Sequence, residues 1–162
     1  MSIEQLEHRW HHLMHRMAAP LQYNVPLWRE IQRAYTAKNR HYHTLAHLAD
    51  LFQQADLFKN QIKDFDILEI SIWYHDIIYQ VLKKDSEIKS ALFAKYRLEA
   101  IHTSRERLVK CYHQINATKQ HELSDNDDSD TAFLLDFDLS ILGRDWKIYS
   151  NYANQIRLEY AI

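Results

Sequence analysis

Apolar residues recur three and four positions apart along most of the chain, which is the spacing that places them on one face of an α-helix. The stretch after residue 42 is typical, because Leu45, Leu48, Phe52 and Ala55 follow this spacing. Polar stretches without a period separate the amphipathic ones. The pattern predicts helices over residues 3–17, 26–37, 43–58, 63–82, 85–102 and 104–118, a polar loop over 119–131, an apolar segment over 132–143 that ends at Gly143, and a last helix over 145–162.

The fourth helix is predicted to be buried on most of its circumference. Its broad apolar stripe consists of Ile67, Ile70, Tyr74, Ile77, Ile78 and Val81. Within it, the sequence "SIWYHDIIYQ" carries two adjacent polar residues, His75 and Asp76. A buried titratable pair needs a partner that compensates for the loss of water.

The composition supports long helices within one domain. Glycine occurs once and proline twice in 162 residues, whereas an average chain has about 7% glycine and 5% proline. Pro26 is compatible with the first turn of the second helix, where its missing N–H needs no partner. The sequence shows no internal repeat and no linker. It therefore predicts one all-α domain over residues 1–162, a bundle of about seven helices.

The charge pattern and the single cysteine narrow the range of partners. The formal net charge is −2, and no run of lysine and arginine indicates a face that binds nucleic acid. Cys111 is the only cysteine, which excludes an internal disulfide and a site with several thiolate ligands. The sequence has no signal-peptide core and no apolar span as long as a transmembrane helix, so a soluble, cytoplasmic protein without a membrane partner is expected.

Histidine and aspartate side chains interrupt the apolar pattern at His43, His47, His75, Asp76 and Asp138. His43 and His47 are four residues apart and so share one helix face. Imidazole and carboxylate groups are ligands of divalent cations, and a site inside a helical bundle takes its ligands from several helices. A metal ion shared by these side chains would compensate for the burial of all of them.

The stretches "YHTLAHL", "WYHDIIY" and "FDLSILG" resemble the motifs of the HD superfamily of metal-dependent phosphohydrolases. The resemblance is strongest to a branch of small, all-helical members, and it implies a single HD-type helical domain. Because members of this branch continue beyond the "IRLEY" pattern, it also implies that the last helix is truncated at Ile162. The ordered motifs match residues 40–47, 75–91, 117–121 and 136–143, within a resemblance that extends over residues 26–160.

The metal ligands that the resemblance implies are His47, His75, Asp76 and Asp138. His43 is an alternative for the first position, and Asp136 is an alternative for the last. Two imidazoles and two carboxylates suit Mn²⁺, Fe²⁺, Co²⁺, Ni²⁺ or Zn²⁺, and suit Mg²⁺ less well. The identity of the metal and the choice between one ion and two stay open.

The function that the resemblance implies is hydrolysis of a phosphate ester, a nucleotide or a related small molecule, with a metal-bound hydroxide as the nucleophile. Asp76 would orient the attacking water, and Arg40 would clamp the phosphate with its guanidinium. His43 and His121 would donate to the phosphate or protonate the leaving oxygen. Glu87 would assist as a base or contact a sugar.

Other interpretations of these residues stay open. Arg40, His43 and His121 are equally compatible with structural or outer positions, and Glu87 with a helix N-terminal turn. One alternative function is a non-catalytic HD domain that binds a nucleotide or a protein and regulates. Another is a helical interaction protein in which the four ligand positions do not converge. The sequence leaves the oligomeric state open, and it predicts a mobile acidic loop that contains Asp125, Asp127, Asp128 and Asp130.

Overall fold

The computed structural model describes residues 1–124 and 128–161. This part of the chain is helical and contains no β-strand, which confirms the predicted all-α fold class. None of its helices is both long and apolar enough to cross a membrane. The helices are α1 (Ile3–Arg16), α2 (Leu21–Tyr35), α3 (Leu45–Leu57), α4 (Phe65–Tyr74), α5 (Ser86–Ala100), α6 (Arg105–Ala117), α7 (Ser129–Leu139) and α8 (Trp146–Tyr160), with short 3₁₀ turns at Lys59–Gln61 and Ser140–Gly143.

Helix α4 lies at the centre of the packing, and every residue in its last two turns is buried. The indole of Trp73 contacts the rings of Trp10 in α1, Trp28 in α2 and Phe52 in α3, with centroid separations of 5.8, 5.9 and 4.5 Å. A helix that is apolar on all sides is enclosed by its neighbours. The end of α4 is therefore a fixed point from which functional side chains can project.

The end of α4 differs from the prediction of a helix through residue 82, which is wrong. The helix stops at Tyr74, and His75 is its C-cap. Beyond that point the hydroxyl of Ser90 in α5 accepts the N–H of Ile78 (3.1 Å) and donates to the carbonyl of the same residue (3.2 Å). Because α5 satisfies the backbone groups of Ile78, the chain beyond the His–Asp pair is not helical although Ile77 is buried there.

The start of α2 also differs from the prediction. The helix begins at Leu21 with Pro20 at its N-cap, so Pro26 lies inside the helix and not in its first turn. The indole N–H of Trp10 donates to the carbonyl of Asn24 (3.0 Å). This contact with α1 supports the turn that precedes Pro26, whose missing N–H would otherwise weaken that part of the helix.

The apolar segment predicted over 132–143 is divided in two, because α7 ends at Leu139 and a 3₁₀ turn follows. The side-chain amide of Gln54 donates to the carbonyl of Phe137 (3.3 Å) and to the hydroxyl of Ser140 (2.7 Å). These bonds satisfy a carbonyl of the last helical turn. The C-cap of α7 is therefore Ser140 and not Gly143. The last helix begins directly after Asp145, as predicted.

The N-terminus of α7 lies inside the region predicted as a loop. Asp128 caps the helix by accepting the N–H of Thr131 (3.0 Å), and Asp130 is fully buried. The prediction of a mobile acidic loop is therefore wrong for these two aspartates. Asp125 and Asp127 lie outside the described residues.

Replacing Asp130 by alanine is expected to destabilise the fold by about 3–5 kcal/mol, the usual cost of breaking a buried ion pair. Its carboxylate accepts the backbone N–H groups of Lys63 and Asp64 (2.8 Å each) and the ammonium of Lys110 (2.5 Å). Urea unfolding measures the change. The control is Asp136→Ala on the same helix, which is exposed and should stay within about 0.5 kcal/mol of the wild type. Equal stability of the two variants would contradict this role for Asp130.

Candidate metal centre

Four polar side chains from three helices meet at one end of α4. His47 lies in the first turn of α3, which Thr44 caps by accepting the N–H of Ala46 (3.3 Å). The pair of His75 and Asp76 follows directly after the last residue of α4. Asp138 lies in the last turn of α7. Residues far apart in sequence are thus brought to one point because each lies at the end of a helix that packs in the core.

The separations between the side-chain atoms fit a shared ion. The Nε2 atoms of His47 and His75 are 3.1 Å apart, and Nε2 of His75 is 3.2 Å from Oδ2 of Asp76. Oδ1 of Asp138 lies 3.2 Å from Nε2 of His47 and 3.8 Å from Nε2 of His75. Two ligand atoms that bind one ion at about 2.1 Å and at right angles to each other lie about 3 Å apart. The ligand atoms of His47, His75 and Asp76 all lie within 4.8 Å of one another, so the spacing of these three side chains fits a divalent cation, and Asp138 lies beside both imidazoles but outside that group.

The hydrogen bonds of His75 fix which of its nitrogens faces the cluster. Nδ1 lies 2.9 Å from the carbonyl of Ile72, which only accepts, so Nδ1 carries the proton of the neutral ring. The lone pair of Nε2 then points at the carboxylate of Asp76 and at His47. Two facing groups that both accept need a cation between them, either a proton or a metal ion, and a second-shell carbonyl of this kind is usual for metal-binding histidines.

The pKa values of His75, Asp76 and His47 indicate that positive charge is favoured within the cluster. Burial lowers the pKa of His75, but Asp76 outweighs burial and raises this pKa to about 9. Burial raises the pKa of Asp76, and the positive charges of His75 and His43 hold it well below its usual range. The pKa of His47 is lowered by burial. The carboxylates beside His75 therefore favour a positive charge at its imidazole.

Glu159 in α8 is a residue of this centre that sequence reasoning missed. Its Oε1 accepts the backbone N–H groups of His41, Tyr42 and His43 (2.7, 2.7 and 3.0 Å). Its Oε2 accepts Nδ1–H of His43 (2.7 Å) and the hydroxyl of Tyr79 (2.9 Å). Burial raises the pKa of Glu159, but these donors together lower it to about 2.

A sequence signal for Glu159 does exist. The residue lies in the last turn of α8, where the helix dipole disfavours a carboxylate. An acid at such a position needs a compensating partner elsewhere in the fold. The partner segment lies more than a hundred residues earlier in the chain, so the sequence alone does not identify it.

His43 stands beside the cluster, with Nε2 3.7 Å from Oδ2 of Asp76. Of the two candidates for the first ligand, His47 groups with His75 and Asp76, since the ligand atoms of these three lie within 4.8 Å of one another. Because Nδ1–H of His43 donates to Glu159, Nε2 is the nitrogen directed at the cavity. His43 is thus placed to act on a bound molecule.

His121 and Asp138 form a second contact at the edge of the cluster, with Nε2 of His121 2.9 Å from Oδ2 of Asp138. The backbone of His121 has a φ of 53°, a left-handed conformation that is uncommon for a residue other than glycine. Asp136, the alternative last ligand, is exposed two residues earlier on α7 and lies outside the cluster. Asp138 therefore faces the site, held between His47 and His121.

Arg40 is buried next to the segments that carry the cluster. Its guanidinium donates to the carbonyls of His43 (3.2 Å) and Ile77 (3.0 Å), and it lies over the ring of Tyr35. The hydroxyl of Tyr35 in turn accepts the N–H of Asp76 (3.2 Å). These contacts join the segment before α3 to the segment after α4, and they favour the structural interpretation of Arg40 over the phosphate clamp.

A cavity of about 260 Å³ opens beside the cluster. Its lining includes His43, Asp76, Glu87, His121 and Asp138, so the predicted acid–base residues other than Arg40 share one space. Its other lining residues are Tyr79, Thr118, Tyr152, Ile156 and Tyr160, and the ring of Tyr79 lies 4.3 Å from the ring of His43. The arrangement can hold a small molecule against the four candidate ligands.

Comparison with known proteins found no matching family model, no matching curated protein and no matching solved structure. The resemblance to the HD superfamily therefore stays a prediction that rests on the motifs of the sequence.

Proposed function

We propose that this protein is a metal-dependent phosphohydrolase. The observation that carries the proposal is the convergence of two imidazoles and two carboxylates, from His47, His75, Asp76 and Asp138, beside a cavity with further acid–base side chains. Two imidazole nitrogens that face each other and two carboxylates form a nitrogen and oxygen donor set of the kind that metal centres use, and the carbonyl behind His75 is a usual second-shell partner. His47, His75, Asp76 and Asp138 would hold the ion.

A divalent ion in such a site lowers the pKa of a water molecule and offsets the charge of phosphoryl oxygens. The residues of the chain supply the remaining functions. The second carboxylate oxygen of Asp76 orients the attacking water. His43, fixed by Glu159 through Nδ1, presents Nε2–H to the leaving oxygen, and His121 stands on the opposite side of Asp138 as a second donor. Phosphoryl transfer needs mainly such positioning and charge compensation.

The direct test combines metal content with phosphate release. Protein stripped by a chelator is supplied in turn with Mn²⁺, Fe²⁺, Co²⁺, Ni²⁺, Zn²⁺ and Mg²⁺, and bound metal and phosphate released from a panel of esters are measured. We expect at least one ion per chain and phosphate release that stops on chelation. The absence of bound metal would contradict the proposal. Stabilisation by a nucleotide without turnover would instead favour a regulatory HD domain.

The affinity for the metal ion should rise with pH. The imidazole of His75 must lose its proton to bind an ion, and its pKa is about 9. Below that pH each ion displaces a proton, so affinity is expected to rise about tenfold per pH unit towards pH 9. Titration calorimetry in buffers of different ionisation enthalpy counts the released protons. An affinity that is constant between pH 6.5 and 8.5 would contradict the displacement of a proton from His75 by the ion.

A further inference from the structure

The lining of the cavity is rich in carboxylates and poor in permanent cations. Asp76, Asp138 and Glu87 line it, and none of the described lining residues is a lysine or an arginine. Residues 125–127 and 162, which lie outside the description, contain no lysine or arginine either. The guanidinium of Arg40 is bound to two backbone carbonyls. Positive charge in this space is thus limited to a bound ion and to the imidazoles.

This charge balance limits how many phosphates the site can accept. The two charges of a divalent ion are matched by Asp76 and Asp138, and Glu87 adds a further negative charge. His43 lines the cavity, and because its Nδ1–H donates to Glu159 (2.7 Å), its Nε2 is free to face a phosphoryl oxygen. One phosphoryl group can be bound by the ion and the imidazoles. Each additional phosphate would bring negative charge to a place without a lysine or arginine fork, which is the usual partner of polyphosphates.

Helix α8 contributes side chains to the cavity that suit a planar ring. Tyr152, Ile156 and Tyr160 line the cavity, and because they are spaced four residues apart they lie on one face of α8. The ring of Tyr152 packs against Tyr42, with centroids 4.6 Å apart, and this contact limits its movement. Tyrosine rings and a branched aliphatic side chain form a flat surface on which planar rings stack.

We infer that the site takes phosphate monoesters whose alcohol portion carries a planar ring, such as nucleoside monophosphates, in preference to di- and triphosphates and to ring-free esters. The inference rests on the proposed function. In the reaction, water forms a new P–O bond, the ester P–O bond breaks, and the leaving oxygen takes a proton from Nε2 of His43. The products are the free alcohol and inorganic phosphate, and the proton lost by the attacking water restores the imidazole.

The experiment compares kcat/KM for adenosine monophosphate with the values for adenosine diphosphate, adenosine triphosphate and glycerol 3-phosphate in the metal-loaded protein. We expect the monophosphate to exceed each of the others at least tenfold. Tyr160→Leu removes a ring from an exposed position and should raise KM for the monophosphate about tenfold, within the range of a lost stacking contact, while KM for glycerol 3-phosphate stays constant. The matched control is Tyr96→Leu, which is exposed to a similar extent but lies on α5 outside the cavity.

A second readout needs neither metal nor turnover. Adenosine is expected to protect the metal-free protein against thermal unfolding more than ribose does, and Tyr160→Leu should remove the difference. Equal kcat/KM for mono- and triphosphates, or an unchanged KM in Tyr160→Leu, would overturn the inference and leave the proposed function standing. Failure to release phosphate from any ester would overturn both, whereas metal-dependent release without preference would overturn the inference alone.

Discussion

Replacing Asp76 by asparagine is expected to lower phosphate release by more than about a hundredfold, because loss of outer-sphere partners alone costs 10–100-fold at metal sites. The amide keeps the size of the side chain but removes the charge that lies 3.2 Å from Nε2 of His75. Metal affinity should fall with it. Both effects are measured together, as metal retained after dialysis and as phosphate release at saturating metal.

The neighbouring ligand on α7 offers a matched pair of variants. Asp138→Asn is expected to lose metal and activity as Asp76→Asn does, since Oδ1 of Asp138 contacts the nitrogens of both His47 and His75. Asp136→Asn makes the same chemical change on the same helix at an exposed position, and should behave as the wild type. If both α7 variants retained metal and activity, or if both lost them equally, the assignment of Asp138 as a ligand would be wrong.

Replacing Glu159 by glutamine is expected to weaken activity 10–100-fold while the metal stays bound, because the change disturbs a partner of the site and none of its ligands. Both oxygens of the carboxylate accept hydrogen bonds, and an amide provides only one oxygen. Either the backbone N–H groups of residues 41–43 or the donors from His43 and Tyr79 are then left facing an NH₂ group. The stability cost should be about 2–3 kcal/mol, as for a hydrogen-bonded charged group.

The stability difference between wild type and Glu159→Gln should depend on pH. The pKa of Glu159 falls from an ordinary 4.5 to about 2 on folding, so its contribution is fully present above pH 4.5 and is lost as the pH falls towards 2. Urea unfolding at pH 7 and at pH 3 tests this. Glu99→Gln, an exposed change on α5, is the control and should show little difference at either pH. A variant that loses metal together with activity would place Glu159 among the ligands and not behind His43.

The sequence predicts the helical fold because the apolar spacing is local and strong, and it indicates the four clustered side chains because polar residues on apolar faces are conspicuous. It misplaces the end of α4 because that end is decided by the Ser90 hydroxyl of another helix. It misses Glu159 and the burial of Asp130 for a related reason. Each of these carboxylates is stabilised by backbone N–H groups from a distant segment, and such donors are present at every residue and leave no pattern in the sequence.

The early end of α4 has an electrostatic consequence for the site. Two helices, α4 and α7, terminate at the cluster, and the free carbonyls at a helix C-terminus act together as about half a negative charge. The first turn of α3, which carries His47, opposes this with about half a positive charge, so the backbone contributes a net of roughly half a negative charge in addition to the two carboxylates. A helix continued to residue 82 would carry that field away from His75. Because α4 ends at Tyr74, the negative end of its helix dipole lies beside His75 and adds to the attraction for a cation.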